Sequence, residues 1–161
     1  MNNMQNENTA AKVHEDADNI TAAGKMHHED RDIRTLRTFI DKEYRAVKLY
    51  RELAMCCTGG NRLELMKISA DEKMHMCKLQ TELFLITDDT HCPPPVCPRI
   101  EGAMRTLSMA YRKELRAEEA YLDAAKETRR PELARLYRCI AEDECRHAKT
   151  IRGIIKRAMC R

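Results

Sequence analysis

Two Glu-x-x-His tetrads, Glu72-Lys73-Met74-His75 and Glu144-Cys145-Arg146-His147, are the residues whose types and spacing could do chemistry in this chain. Residues i and i+3 of an α-helix are rotated by roughly 60° and displaced by about 4.5 Å, so each tetrad projects a carboxylate and an imidazole from one face. The surroundings repeat as well. Ile68 and Ile140, and the Asp-Glu pairs Asp71-Glu72 and Asp143-Glu144, occupy matched places, and Leu79 falls opposite Ile151. Upstream, Glu43 is followed by Tyr50 and Glu114 by Tyr121, with a shared arginine or alanine framework in the gap. One Glu-x-x-His alone is a weak signal in a chain rich in Glu and His. Two with matched flanks are not. Most helical glutamates are surface acids, but Glu43, Glu72, Glu114 and Glu144 each fall on an apolar stripe, where an unpaired carboxylate is costly to bury. Four buried together call for cations.

Asp71 and Asp143 lie four residues before each histidine. A metal-bound imidazole commonly donates its other N–H to a carboxylate, which makes these two the candidates for orienting the ring. Tyr50 and Tyr121, about two turns from Glu43 and Glu114, could hydrogen-bond the carboxylates across the bundle, relay electrons, or be plain core tyrosines. Cys77, Cys139 and Cys145 lie within two turns of the candidate ligands, although free cysteine is commonly just a small buried apolar residue. Cys92 and Cys97, with His91, could clip their segment by a disulfide or hold a second metal, but the spacing is no recognised zinc pattern. His14, His27 and His28 read as solvent-exposed.

The elements that must position these groups read as helices. Residues 1–28 are polar and without sustained periodicity, a flexible tail or weak helix; residues 29–161 form the domain. From Arg31, the run Ile33, Leu36, Phe39/Ile40, Tyr44, Val47, Leu49/Tyr50 and Leu53 has the 3.6-residue period of a helix with one buried stripe. Thr58-Gly59-Gly60-Asn61 breaks it. A second helix, 61–86, carries Leu65, Ile68, Glu72, His75 and Leu79 down one side, and the short connection makes an antiparallel hairpin. The segment 87–98, with Pro93, Pro94, Pro95 and Pro98, cannot be helical and forms a crossover. A third helix, 100–128, leads to a fourth, 131–159, with Thr128 as a capping candidate and Pro131 in the first turn. Glu43 to Glu72 is 29 residues and Glu114 to Glu144 is 30. With a loop of roughly four residues, all four carboxylates come to one level. The expected fold is all-α: an antiparallel four-helix bundle, two helical hairpins joined by a proline-rich crossover.

Composition agrees. The 161 residues are one domain's worth, rich in Leu, Ala, Glu, Lys, Arg and Met, with no Trp. A formal net charge of +3 gives no whole-protein field for nucleic acid or an anionic membrane. The late basic residues, Arg129 through Arg161 and including Arg146, read as a solvated face. There is no apolar run long enough to span a bilayer and no apolar leader, so the expected location is cytoplasmic. The eight cysteines are then mostly free thiols.

The pattern Glu43…Tyr50, Asp71-Glu72-x-x-His75, Glu114…Tyr121 and Asp143-Glu144-x-x-His147 resembles the ferritin-like superfamily, and within it the rubrerythrin-type proteins, over about residues 30–158. That resemblance implies a non-haem di-iron centre with Glu72 and Glu144 bridging, Glu43 and Glu114 terminal, and His75 and His147 completing the coordination. Carboxylate and imidazole ligands suit Fe(II), with Mn(II) the alternative. The implied activity is reduction of hydrogen peroxide, or dioxygen, with electrons from a separate donor such as a rubredoxin-like protein. The alternatives are a ferroxidase handling iron, and a structural bundle without redox activity. A homodimer is the default assembly. The chain departs from rubrerythrins at Ala117, where they carry a further glutamate, and it has no rubredoxin-type Cys-x-x-Cys pairs. Lys73 stands where bacterioferritins have a haem methionine, so no haem is expected.

Overall fold

A computed structural model describes the backbone of residues 4–160 and the side chains of 30–160. The tail expected over residues 1–28, with His14, His27 and His28, lies outside the residues whose side chains are described. Four helices follow one another: α1 Met4–Met55, α2 Gly59–Thr87, α3 Ala103–Glu127 and α4 Pro131–Met159. α1 packs along α2 and α3 along α4, giving the two expected hairpins. Among the described residues no helix is long and apolar enough to cross a membrane.

The helix ends show what sets the boundaries. Asp88 adopts a left-handed conformation (φ 53°), and its N–H bonds to the Phe84 carbonyl at 2.8 Å, closing α2. Gly102 has φ 120°, a conformation that side chains rarely adopt, and so releases the crossover into α3. Pro131 sits in the first turn of α4, as its fixed φ favours. Thr128 does not cap α4. It terminates α3, accepts the Arg130 N–H at 3.2 Å and donates to Asp32 at 3.1 Å, while Arg130 is the residue at the α4 N-cap.

Two apolar clusters fill the bundle, one towards each end. The first joins the middle of α1 (Leu36, Phe39, Ile40) to the ends of α2 and α3 and the beginning of α4 (Leu83, Tyr121, Leu133, Tyr137). The second joins Tyr50 and Leu53 to Leu65, Leu107, Ile151 and Ile154. Each fully buried side chain of this size is worth roughly 1.5–3 kcal/mol relative to exposure. α1 and α4 therefore run in one direction and α2 and α3 in the other. The crossover, 88–102, spans the length of the bundle between them. It is held to the first hairpin by His91 Nε2 on Asp41 at 2.8 Å and by Gln80, which donates to the His91 carbonyl at 3.2 Å.

Candidate metal centre

Between the two apolar clusters lies a buried polar layer. Glu43, Glu72, His75, Glu114, Glu144 and His147 are all at most 4 % exposed, one carboxylate from α1 and one from α3, a Glu/His pair from α2 and another from α4. All six candidates read from the sequence meet there. Ligand-capable atoms of Glu43, Glu72, His75 and Glu144 lie within 4.8 Å of one another, and so do those of Glu72, Glu114, Glu144 and His147. Glu72 and Glu144 belong to both groups. The imidazoles stand 5.9 Å apart between ring centroids. His75 Nδ1 is 3.3 Å from Glu144 and 3.5 Å from Glu72, and His147 Nδ1 is 3.3 Å from Glu72.

Glu72 Oε1, His75 Nδ1, Glu144 Oε1 and His147 Nδ1 are fully buried and make no hydrogen bond. Orphaned buried polar atoms are rare and expensive. Here they converge on one another, so a pair of divalent cations is the partner their geometry and chemistry fit. Without cations the acids crowd each other. Burial, with the neighbouring Glu43, holds the Glu72 carboxyl well above its ordinary range. Burial and Glu144 push Glu114 up to about 9, and burial with Glu72 and Glu43 pushes Glu144 up to about 7. Burial alone would lower His75, but the carboxylates of Glu144, Glu43 and Glu72 gathered around Nδ1 outweigh it and raise the imidazole to about 12. His147, where burial wins, is lowered.

The supporting contacts cross between hairpins. Tyr50 on α1 donates its hydroxyl hydrogen to Glu114 on α3, and Tyr121 on α3 donates to Glu43 on α1. Burial and the surrounding carboxylates raise both phenols well above their ordinary range, so they remain hydroxyl donors. His75 Nε2 lies 3.0 Å from Asp143, and His147 Nε2 lies 3.2 Å from Asp71. The aspartates expected beside the histidines are thus in place, but each serves the histidine of the other hairpin.

Arg146 does more than face solvent. It is more than half exposed, yet it donates to both Asp143 and Asp71, the latter at 3.2 Å, and ties the two aspartates together. Its position inside the second tetrad was a signal, obscured because the first tetrad has Met74 there. Tyr137, buried with an unpartnered hydroxyl, stacks edge-on against Phe39 with centroids 5.5 Å apart, a placement that its sequence neighbours do not signal. All eight cysteines are free, none belongs to a ligand group among the described residues, and His91 is taken up by Asp41.

A cavity of about 500 Å³ opens between α1 and α3 onto this layer. Its floor includes Glu72, Glu114 and Glu144, and Val96, Cys97 and Pro98 of the crossover lie over it.

Residues 105–159 match the Rubrerythrin family. The chain is 30% identical over 119 residues to the uncharacterized protein YhjR of Bacillus subtilis (strain 168), a match covering 72% of this chain and 81% of that one. A hypothetical protein from Pyrococcus furiosus shares the fold with a TM-score of 0.70, at 22% identity, over 78% of this chain and 88% of that one.

Proposed function

The chain belongs to the rubrerythrin-type ferritin-like proteins, and from that premise we propose that it is a non-haem di-iron protein that reduces hydrogen peroxide, or dioxygen, with electrons from a separate donor. The observation that carries this reading is the sharing of Glu72 and Glu144 between two buried ligand groups, each completed by its own glutamate and histidine. Glu43 and His75 would hold one ion, Glu114 and His147 the other, and Glu72 and Glu144 would bridge them. Two adjacent ferrous ions supply both electrons that cleavage of an O–O bond requires.

The chain's own groups prepare that chemistry. Asp143 and Asp71 accept the Nε2 protons of His75 and His147, which directs Nδ1 of each ring to the cations; in His75 the cation would displace the proton that the surrounding carboxylates hold on the ring in its absence. Tyr50 and Tyr121 fix the orientation of Glu114 and Glu43 through hydroxyls that stay protonated. The apolar clusters above and below keep bulk water from the layer except by way of the cavity. Manganese would fit the same ligands. A ferroxidase reading needs Fe(II) to pass repeatedly through a mouth lined by Lys42, Arg45, Lys113 and Arg116, against their charge, so reduction of peroxide is the better fit. The donor would be a small redox protein of the rubredoxin kind, and a cytoplasmic homodimer is the working form.

The test is metal analysis of protein purified without oxygen, followed by stopped-flow absorbance as the Fe(II)-loaded protein meets peroxide and, separately, dioxygen. Two irons per chain and fast oxidation by peroxide, both lost in Glu72→Ala and His147→Ala, are expected. Absence of stoichiometric metal, with folding unchanged in those variants, would overturn the assignment.

A further inference from the structure

The helices that carry Glu43 and Glu114 repeat more than a glutamate. Lys42-Glu43-Tyr44-Arg45-Ala46 on α1 and Lys113-Glu114-Leu115-Arg116-Ala117 on α3 agree at four of five positions. In both, the glutamate is buried, the lysine and arginine are exposed, and the alanine is half-buried. At about 100° per residue, the alanine, lysine and arginine lie roughly 60°, 100° and 160° from the glutamate, all to the same side of the helix. The two copies sit on antiparallel helices and turn that side towards each other. Lys42, Arg45, Ala46, Lys113, Arg116 and Ala117 all line the cavity over the metal layer.

None of these four cations has an ion-pair partner among the described residues; Lys42 only lies over the Phe39 ring, 5.3 Å from its centroid. Other cations, such as Arg34, Arg51 and Arg112, also lack an ion pair among the described residues; what sets these four apart is that they line one cavity. Between the cations the walls are apolar, from Ala46, Leu49, Val96, Pro98 and Ala117. The two alanines matter for room, since any larger side chain there would project into the opening. A volume of about 500 Å³ is far more than peroxide needs, given about 30 Å³ for a water molecule in the liquid. It is the size of a small-molecule site.

We propose that this cleft binds a small organic anion with an apolar body, of which an aliphatic monocarboxylate is the simplest example, and holds it over the metal pair. The inference rests on the di-metal reading in one respect: cations bound by the floor carboxylates neutralise them and leave the four rim charges to attract the anion. The apolar walls take the body of the ligand and the rim takes its charge.

Titration calorimetry of the Mn(II)-loaded protein with octanoate, octan-1-ol and inorganic phosphate tests this, with metal content measured on the same samples. One octanoate per chain is expected, with octan-1-ol and phosphate each about tenfold or more weaker, a difference of about 1.4 kcal/mol. The Arg45→Gln/Arg116→Gln double variant, changed only at exposed positions, should lose octanoate affinity by about tenfold or more while binding the same amount of metal. Ala117→Leu should lose it by filling the cleft. Failure of octanoate to bind the metal-loaded protein, equal affinity for octan-1-ol or for phosphate, or affinity unchanged in the double variant would each overturn the inference and leave the metal centre standing. Charge-dependent octanoate binding by protein that takes up no metal would uphold the cleft and overturn the di-metal reading instead.

Discussion

The hydroxyl of Tyr50 on α1 donates to the carboxylate of Glu114 on α3, 64 residues away and in the other hairpin. Tyr121 returns the contact to Glu43. These two bonds lock the hairpins together at the level of the metal layer, where α1 and α3 would otherwise meet across a cavity.

Tyr50→Phe should therefore weaken the metal-loaded protein by about 1–3 kcal/mol, the cost of stripping a buried carboxylate of its donor. Tyr121→Phe should do the same. Thermal melts of each variant measure it, and an unchanged midpoint in both would show that the hydroxyls contribute nothing to holding the glutamates.

The shared glutamates and the terminal ones should fail differently. Glu72→Ala and Glu144→Ala remove a ligand from both groups and should reduce metal content towards zero, whereas Glu43→Ala and Glu114→Ala touch one group each and should leave about one ion per chain. Equal losses across all four variants would contradict the sharing.

The crossed aspartates predict a crossed coupling. Asp143→Ala should lower metal affinity by about 10–100-fold. In a double-mutant cycle its effect should vanish in a His75→Ala background and persist with His147→Ala, although Asp143 shares a helix with His147. Coupling to His147 instead would mean that the ring contacts run within each helix.

Proton linkage gives the metal-free protein an unusual pH profile. Glu114 and Glu144 rise from an ordinary 4.5 to about 9 and about 7, and His75 rises from 6.5 to about 12. A raised folded-state pKa contributes stability that is complete below the unfolded value and is lost as pH climbs through the folded one. The lowered groups, Glu43, Asp143 and His147, act with the opposite sign, but below about pH 6.5. Between about pH 6.5 and 9 the falling contributions stand alone, so the melting temperature of chelated protein should drop across that window. Metal-loaded protein, its carboxylates held by cations, should show a flatter profile. A midpoint that rises with pH in chelator would contradict the crowding of these acids.

Much of the centre was legible in the residues themselves. The i, i+3 spacing of Glu72 with His75 and of Glu144 with His147 fixes one face by helical geometry alone. The glycine and proline breakers fixed the number of helices, and the closely matched spacings from Glu43 to Glu72 (29 residues) and from Glu114 to Glu144 (30 residues) put the acids at one level. Such features are local, set by backbone geometry within a turn or a hairpin. What tertiary structure decided is every relation between hairpins: Tyr50 with Glu114 rather than its own Glu43, Asp71 with His147 rather than His75, and Arg146 bridging both aspartates. It also decided that Lys42, Arg45, Lys113 and Arg116 surround one opening. The spacing of a sequence gives the angle of a side chain about its own axis. Only the packing of one helix surface on another gives the angle and height at which a second axis meets it, and these side-chain pairs form between axes.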